Sequence, residues 1–176
     1  LFLCVYTYRT CSFKDLKQEA TMAALSDYLE SGLLHHLFRG QSFTPPTNIS
    51  IALTSGVPVD SDTGVTIPEL SGLSVTGSGT GYARVNLGNP ASVGATTWSF
   101  TGEDFNVGSG QIRNSGQIVF NTALTDWGWV SGIAICDHSQ EAQGNLLMHA
   151  QLTNPRLIYT GDNVKFDYQS LEIAFK

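Results

Sequence analysis

The sequence predicts a mainly β protein: an antiparallel β-sandwich or partly closed barrel of about eight strands with one N-terminal amphipathic α-helix. Charged residues make up only 14% of the 176 residues, against about 25% in an average soluble domain, and glycine occurs 18 times. The apolar spacing changes from every fourth residue to every second residue after Gly40. Alternating segments then recur between turn signals, which is typical of a sandwich or barrel.

The predicted helix covers residues 23–39. Its leucines recur at every fourth position and form one apolar stripe, made of Leu25, Leu29, Leu33 and Leu37. Gly40 follows where a left-handed C-cap is expected. Gly32 lies inside the pattern, where it weakens the helix by about 1 kcal/mol relative to alanine and is expected to let another backbone approach closely.

Eight strands are predicted from alternating or continuous apolar residues. They cover residues 48–54, 82–87, 95–100, 117–120, 130–136, 145–152, 164–168 and 171–175. Within the second strand, Arg84 is expected to point outward. Residues 55–81, 101–116 and 137–144 are predicted to be loops, and the first is long enough to indicate a functional or mobile segment.

The first residues of the chain differ in composition from the rest. Residues 1–21 hold Cys4 and Cys11 but no glycine, and Met22 resembles a translation start. We expect residues 1–21 to be an N-terminal arm, a stretch translated from upstream sequence, or an artificial addition. Residues 22–176 are expected to form a single β-rich domain that begins with the helix.

Composition excludes several classes of function. A net charge of −6 with only 9 Lys and Arg makes binding to nucleic acid phosphates a poor candidate. No window reaches the roughly 18 apolar residues of a membrane span. The 3 cysteines form an odd set without metal-like spacing, which argues against a disulfide framework or a zinc site and favours a cytoplasmic origin. Cys136 ends an apolar run and is expected to be a buried small hydrophobe.

No pattern in the chain predicts an active site. A Gly-x-Ser-x-Gly elbow between a strand and a helix is missing, as is a phosphate-binding loop. Asp137 and Glu141 are too isolated to indicate a pair of catalytic carboxylates. Trp98, Trp127 and Trp129 could form an aromatic platform for carbohydrate, but packing in the core is favoured. We therefore expect no catalytic residue, no cofactor and no enzyme activity.

The histidine and acidic residues do not complete a metal site either. His35 and His36 are adjacent on the predicted helix and point about 100° apart, so we expect His36 to pack beside the leucines and His35 to be solvated. His149 is expected to be a satisfied core or interface histidine. Asp60 and Asp62 loosely match the start of a calcium loop whose later ligands are missing. No metal ligand is predicted.

The predicted helix carries more apolar residues than one packing stripe needs. Leu34 and Phe38 lie off the centre of the leucine stripe, and Tyr28 lies beside it. A helix on one face of a sheet needs only about 100° of apolar arc, and large exposed patches are uncommon on monomers. We therefore predict a subunit interface at Tyr28, Leu34 and Phe38. The alternative is that the loops of residues 55–81 or 101–116 cover this flank.

Short segments spread over residues 22–176 match a known family in their order and spacing. They are Leu25-Ser26-Asp27-Tyr28-Leu29-Glu30, Leu33-Leu34, Phe38-Arg39-Gly40, Pro46-Thr47-Asn48, Ile51-Ala52-Leu53, Gly81-Tyr82-Ala83-Arg84-Val85, Ile118-Val119-Phe120, Trp127-Gly128, Ile133-Ala134-Ile135-Cys136-Asp137, Gly144-Asn145-Leu146-Leu147, and Gly161-Asp162 with Val164 and Phe166. Through them the chain resembles small tailed-bacteriophage virion proteins, commonly labelled tail fibre proteins. Residues 1–21 have no counterpart in that pattern.

The resemblance implies a non-enzymatic virion structural protein, assembled in the host cytoplasm, with residues 22–176 as its virion domain. It implies as partners other phage structural proteins, tail or capsid subunits, and further copies of the chain, with no nucleic acid and no membrane. A tail-associated fibre or adaptor subunit is expected first. The alternatives are a capsid cement protein that clamps capsomers and, third, a glycan-binding or glycan-degrading adhesin module.

Overall fold

The computed structural model describes residues 24–73, 77, 79–100 and 111–174. The described residues form helices α1 (Asp27–Arg39) and α2 (Pro90–Thr97). The strands are β1 (Ala24–Leu25), β2 (Ile49–Thr54), β3 (Val85–Gly88), β4 (Trp98–Phe100), β5 (Gln111–Asn114), β6 (Ile118–Val119), β7 (Gly128–Cys136), β8 (Leu146–Ile158), β9 (Lys165–Phe166) and β10 (Glu172–Ala174). The predicted arm of residues 1–21 lies outside the described residues.

The strands form three antiparallel sheets. The largest has the order β1-β8-β7-β2-β3, a second has the order β10-β5-β4, and β6 pairs with β9. Every strand pair is antiparallel. The predicted fold class, mainly β and antiparallel with a helix near the start of the domain, is confirmed.

One face of the large sheet carries the main core. Ile51 and Leu53 of β2 belong to this core and lie opposite Ile135 and Ile133 of β7. The smaller sheets add side chains to the same buried cluster, among them Ile118, Phe166 and Ile173. Because one cluster joins side chains from all three sheets, the two smaller sheets cover this face of the large one.

The described part of the long loop of residues 55–81 packs on the opposite face of the central strands. Ile67 from this loop packs in a second buried cluster, with Ala52, Ala134, Cys136 and Leu146 from the strands. The loop is also joined to β2, because the N–H of Leu70 donates to the carbonyl of Leu53 at 3.0 Å. Cys136 is fully buried, as predicted.

Helix α1 begins later than the predicted start at residue 23. Ala24 and Leu25 form β1, which pairs with β8. The backbone of Ser26 is extended, with φ −78° and ψ 156°, and its hydroxyl accepts a hydrogen bond from the N–H of Leu29 at 3.3 Å. This serine is therefore the N-cap, and the helix starts at Asp27.

Residues 95–100, predicted to be one strand, divide between two elements. Helix α2 continues to Thr97, and only β4 is extended. The start of α2 has a signal in the sequence, because the side chain of Asn89 accepts the N–H of Ala91 at 2.9 Å and Pro90 stands at the first helical position. Asparagine at the N-cap followed by proline is a common helix start.

Strand β5 lies inside the predicted loop of residues 101–116, whose residues 101–110 are outside the described part of the chain. Ile112 is its one strongly apolar residue, so alternation gives no signal. The strand forms because both of its edges are paired, with β4 and with β10. Strand β8 likewise continues beyond the predicted end at residue 152 to Ile158. The remaining predicted strands are present with shifted ends.

Candidate functional site

Helix α1 has well-defined ends. Asp27 and Glu30 lie in its first turn, and His36 and Arg39 lie in its last turn, which suits the helix dipole at both ends. Gly40 adopts the predicted left-handed C-cap conformation with φ 63°, and its N–H donates to the carbonyl of His35. The caps and the charged turns explain why a helix with no fully buried residue forms at this position.

The leucine stripe of α1 packs on the body of the protein only along its first half. Leu29 packs against the main core together with Leu25 of β1, and Leu33 is half-buried. Leu37 is 69% exposed, so its predicted place in the packing stripe is wrong. Helix α1 packs on β1 and β8, and the exposure of Leu37 and Phe38 shows that its last turn lies outside this packing contact.

The predicted interface residues are exposed on this chain. The exposed fractions are 43% for Tyr28, 56% for Leu34 and 79% for Phe38. Leu34, Leu37 and Phe38 are spaced by three and four residues, so they are neighbours on the helix surface. We call these three residues the α1 apolar patch. The described residues of the 55–81 loop do not cover it, whereas residues 101–110 are outside the described part.

Tyr28 lies apart from the α1 apolar patch, in a groove between α1 and the chain that follows it. Its ring centroid is 6.3 Å from that of Phe43. A Cβ at Gly32 would lie 2.5 Å from two ring carbons of Phe43. The group that approaches this glycine closely is therefore the side chain of Phe43, and the prediction that another backbone approaches it is wrong. The groove has a volume of about 460 Å³ and is also lined by Ser31 and His35.

The two helix histidines have the reverse of their predicted environments. His35 is half-buried beside the groove, with Nδ1 at 3.2 Å from a terminal nitrogen of Arg39. His36 is exposed, with Nδ1 at 2.9 Å from the carbonyl of Gln41. His35 lines the groove together with Phe43, whose ring packs against Gly32 of the helix.

The other histidine and the candidate calcium-loop residues are held in structural contacts. His149 is buried and its Nε2 lies 3.0 Å from Oδ1 of Asp60, which confirms a satisfied histidine. Asp62 accepts hydrogen bonds from the N–H of Val59 and the hydroxyl of Thr66 within its own loop. Among the described residues, no three or more His, Cys, Asp or Glu side chains come together as a metal site.

The two carboxylates weighed as catalytic candidates are bound to backbone groups. Asp137 accepts the backbone N–H of Asn145 at 2.6 Å and its side-chain amide at 2.7 Å. Both oxygens of Glu141 lie 2.9 Å from the N–H of Gly72. Glu141 therefore joins the 137–144 hairpin loop to the 55–81 loop.

The three tryptophans do not form one exposed platform. The indole N–H of Trp127 donates to the carbonyl of Thr80 at 2.8 Å, and its ring meets Tyr82 edge-on with centroids 5.5 Å apart. Trp98 is half-buried against the main core, whereas Trp129 on β7 is exposed. Packing in the core is thus confirmed for the first two and wrong for Trp129.

Arg84 is buried, and its predicted outward direction is wrong. The side chain is 0% exposed and pairs with Glu69 through Nε at 2.8 Å and Nη2 at 2.6 Å. The remaining contacts go to carbonyls: Nη2 donates to Gly64 at 2.8 Å, and Nη1 donates to His138 at 2.9 Å and to Gln143 at 3.0 Å. Strand β3 starts only at Val85, so strand alternation does not apply to this arginine.

Tyr82 extends the same network to the central sheet. Its hydroxyl donates to Oε1 of Glu69 at 2.8 Å and accepts the N–H of Leu53 at 3.1 Å. Burial, followed by the charge of Glu69, raises the pKa of Tyr82 well above its ordinary value. The buried ion pair of Arg84 and Glu69 thus fastens the long loop and the hairpin loop to β2. The sequence signal that could have indicated the burial of Arg84 is its place between apolar residues in a chain with few charges.

We expect Cys136 to react with a thiol reagent only after unfolding. The side chain is fully buried, and burial raises the pKa of its thiol to about 12, so almost no reactive thiolate forms near neutral pH. The measurement is labelling by an aromatic disulfide reagent in a Cys4→Ser/Cys11→Ser background, with and without guanidinium. Rapid labelling of the folded protein would contradict this expectation.

Comparison with protein families gives one match that spans most of the chain. A family model described as Podophage GP4 fiber I protein gp80 matches residues 24–174. No curated protein matches the chain at a significant level. No helix within the described residues is long and apolar enough to span a bilayer.

Proposed function

Since the chain belongs to the podophage GP4 fiber I protein gp80 family, we propose that it is a non-enzymatic, tail-associated fibre or adaptor subunit. Membership of this family identifies the chain as a phage fibre-type structural protein. Such a protein is a component of the virion and associates with other phage structural proteins. The position at the tail and the absence of catalysis are the proposed parts. They are supported by the fibre family and by the structural use of His149, Asp137 and Glu141.

The observation that carries the proposal is the exposure of the α1 apolar patch. Three large apolar side chains at the end of one helix are more than half exposed: Leu34, Leu37 and Phe38. Helices that present apolar anchors spaced by three and four residues are a recurring way to enter a partner's groove. We therefore assign the contact with another virion subunit to α1, as the sequence predicts for Tyr28, Leu34 and Phe38.

Replacing Phe38 with serine tests this role in the phage. We expect the virion content of the subunit to fall at least about fivefold, because an aromatic anchor at the centre of an interface contributes more than about 1 kcal/mol. Folding should be unaffected, since surface substitutions usually stay within about 0.5 kcal/mol. Virion content is measured by immunoblot after complementation, and thermal unfolding checks the fold. Tyr168→Ser, at an aromatic side chain that is 61% exposed on a loop, is the matched control.

Immunogold labelling of intact virions tests the location. Labelling at the tail is the expected result, whereas labelling over the capsid shell would replace the tail proposal by the capsid cement alternative. Unchanged virion content in Phe38→Ser would instead remove α1 as the contact. A loss of thermal stability in Phe38→Ser but not in Tyr168→Ser would show that Phe38 belongs to the core.

A further inference from the structure

The groove between α1 and residues 41–44 combines two aromatic rings with uncharged polar side chains. It has a volume of about 460 Å³, and we call it the α1 groove. The rings belong to Tyr28 and Phe43, and the uncharged polar side chains belong to Ser31, Gln41, Ser42 and Thr44. Among the described residues, these four polar side chains have no hydrogen-bond partner. Their donors and acceptors are therefore available to a ligand.

Arg39 adds a positive charge at one end of the α1 groove. One of its terminal nitrogens lies 3.2 Å from Nδ1 of His35, which lines the groove. Because a guanidinium group has donors and no acceptor, Nδ1 accepts this hydrogen bond and the ring proton is on Nε2. In the part of the chain that the structure describes, Arg39 forms no ion pair. Its other donors are free to bind an anionic group.

The acidic residues of α1 lie on other sides of the helix. At about 100° per residue, Tyr28, His35 and Arg39 fall within about 40° of one another. Asp27 lies about 100° from their centre, and Glu30 lies about 160° from it. The wall opposite the helix contains no charged residue. The α1 groove thus carries one positive charge, which is complementary to a single carboxylate, whereas a phosphate group carries up to about two negative charges.

The two aromatic rings form a notch. Their centroids are 6.3 Å apart and their planes are inclined by 57°. Rings inclined in this way share no flat face on which a sugar ring could stack, and they can contact an apolar side chain from two directions. The shape of the notch therefore favours a peptide side chain over a saccharide.

The distance between the notch and the charge matches an extended peptide. The notch lies level with Tyr28 and with Gly32, against which Phe43 packs, and the guanidinium of Arg39 lies level with His35. At about 1.5 Å per residue along the helix, these levels are roughly 5–10 Å apart. Side chains two residues apart on an extended chain point to the same side and are separated by about 6.6 Å. An apolar and an acidic side chain with this spacing can reach both groups.

We propose that the α1 groove binds an extended peptide segment of another protein. An apolar side chain of this segment lies between Tyr28 and Phe43, and a carboxylate two residues away binds Arg39. The inference rests on the proposed function for the partner being a phage structural protein. It adds a second contact surface, about 130° around the helix from the α1 apolar patch, and the chemistry of the segment that occupies it.

Nuclear magnetic resonance titration of the isotope-labelled full chain tests this inference. The probe is a tripeptide with blocked ends and the sequence Leu-Ser-Asp, and its matched control is Leu-Ser-Asn. The acidic tripeptide should shift the amide signals of Ser31, His35 and Ser42. Its dissociation constant should be about threefold to fivefold lower than that of the control, as for an exposed charge pair. High salt should reduce this difference.

Three variants separate the contributions of charge and shape. Arg39→Gln should bind the two tripeptides equally. Lys165→Gln removes a positive charge beside Asp167 on β9, outside the α1 groove, and should keep the difference. Phe43→Ala should weaken both tripeptides by a similar factor, because it removes one side of the notch. Circular dichroism shows whether each variant is folded.

Three outcomes would overturn the inference. The first is the absence of shifts at the α1 groove with the acidic tripeptide at tens of millimolar, and the second is equal binding of the two tripeptides to the unmodified chain. The third is tighter binding of methyl glucuronide at the same amide signals, which would assign the groove to an acidic saccharide. The proposed function fails separately, because it depends on the virion content of Phe38→Ser, a residue outside the groove.

Discussion

Replacing Arg84 with methionine is expected to lower the free energy of unfolding by about 3–5 kcal/mol, the usual cost of removing one partner of a buried ion pair. The carboxylate of Glu69, whose side chain is 7% exposed, would lose its cation while remaining out of water. The carbonyls of Gly64, His138 and Gln143 would lose their donor as well. The loss would reach the sheet, because Glu69 also holds the hydroxyl of Tyr82.

Urea unfolding measures this effect, and Arg113→Met is the matched control. Arg113 pairs with Glu172 across β5 and β10, where both side chains are partly exposed, and surface pairs are worth less than about 1 kcal/mol. Adding Glu69→Gln to Arg84→Met should recover part of the loss, because the unpaired buried charge is then removed. Equal losses in Arg84→Met and Arg113→Met would contradict the buried ion pair.

Gly64→Ala is expected to lower the free energy of unfolding by about 2–3 kcal/mol through overpacking. A Cβ at this position would lie 2.3 Å from the carbonyl oxygen of Gln143 and 2.7 Å from that of Gly144. Neither atom can move away freely, because Arg84 binds the Gln143 carbonyl and Gly64 itself donates to the Gly144 carbonyl at 3.0 Å. The loop of residues 55–81 and the 137–144 hairpin loop would be pushed apart.

The control for Gly64→Ala is Gly116→Ala. A Cβ at Gly116 meets no atom within 4 Å, so its unfolding free energy should stay within about 0.5 kcal/mol of that of the unmodified chain. The midpoint of urea unfolding at an unchanged slope is the measured quantity. If both variants lost the same stability, close packing between the two loops would not be the cause.

Local signals were sufficient to predict much of the fold. The alternation of β2 and the apolar run of β7 each identify a strand, since these strands are buried on one or both faces. Gly40 identifies the end of α1, because glycine readily adopts the left-handed C-cap conformation in which its N–H pairs with the carbonyl of His35. The exposure of Leu34 and Phe38 was predicted because the helix carries more apolar residues than fit in the apolar arc that packs against one sheet face.

Contacts between distant segments account for what the sequence did not predict. Arg84 is buried because Glu69 and three carbonyls from two loops surround it, and no local pattern encodes that arrangement. His35 is half-buried in a groove that forms because the ring of Phe43 packs against Gly32. Strand β5 exists because two other strands pair with it. Each of these features depends on a partner that lies elsewhere along the chain.

The way α1 is attached has a consequence for how this protein can diverge. The exposed face of α1 holds no fully buried residue, whereas the β-domain holds a continuous core and a buried ion pair between Arg84 and Glu69 of the long loop. Substitutions on that face cost little folding stability, because exposed positions usually change it by no more than about 0.5 kcal/mol. Selection can therefore alter what α1 recognises without compensating changes in the β-domain. Among related chains, this helix surface should vary together with the partner that it contacts, while the positions around Arg84 stay fixed.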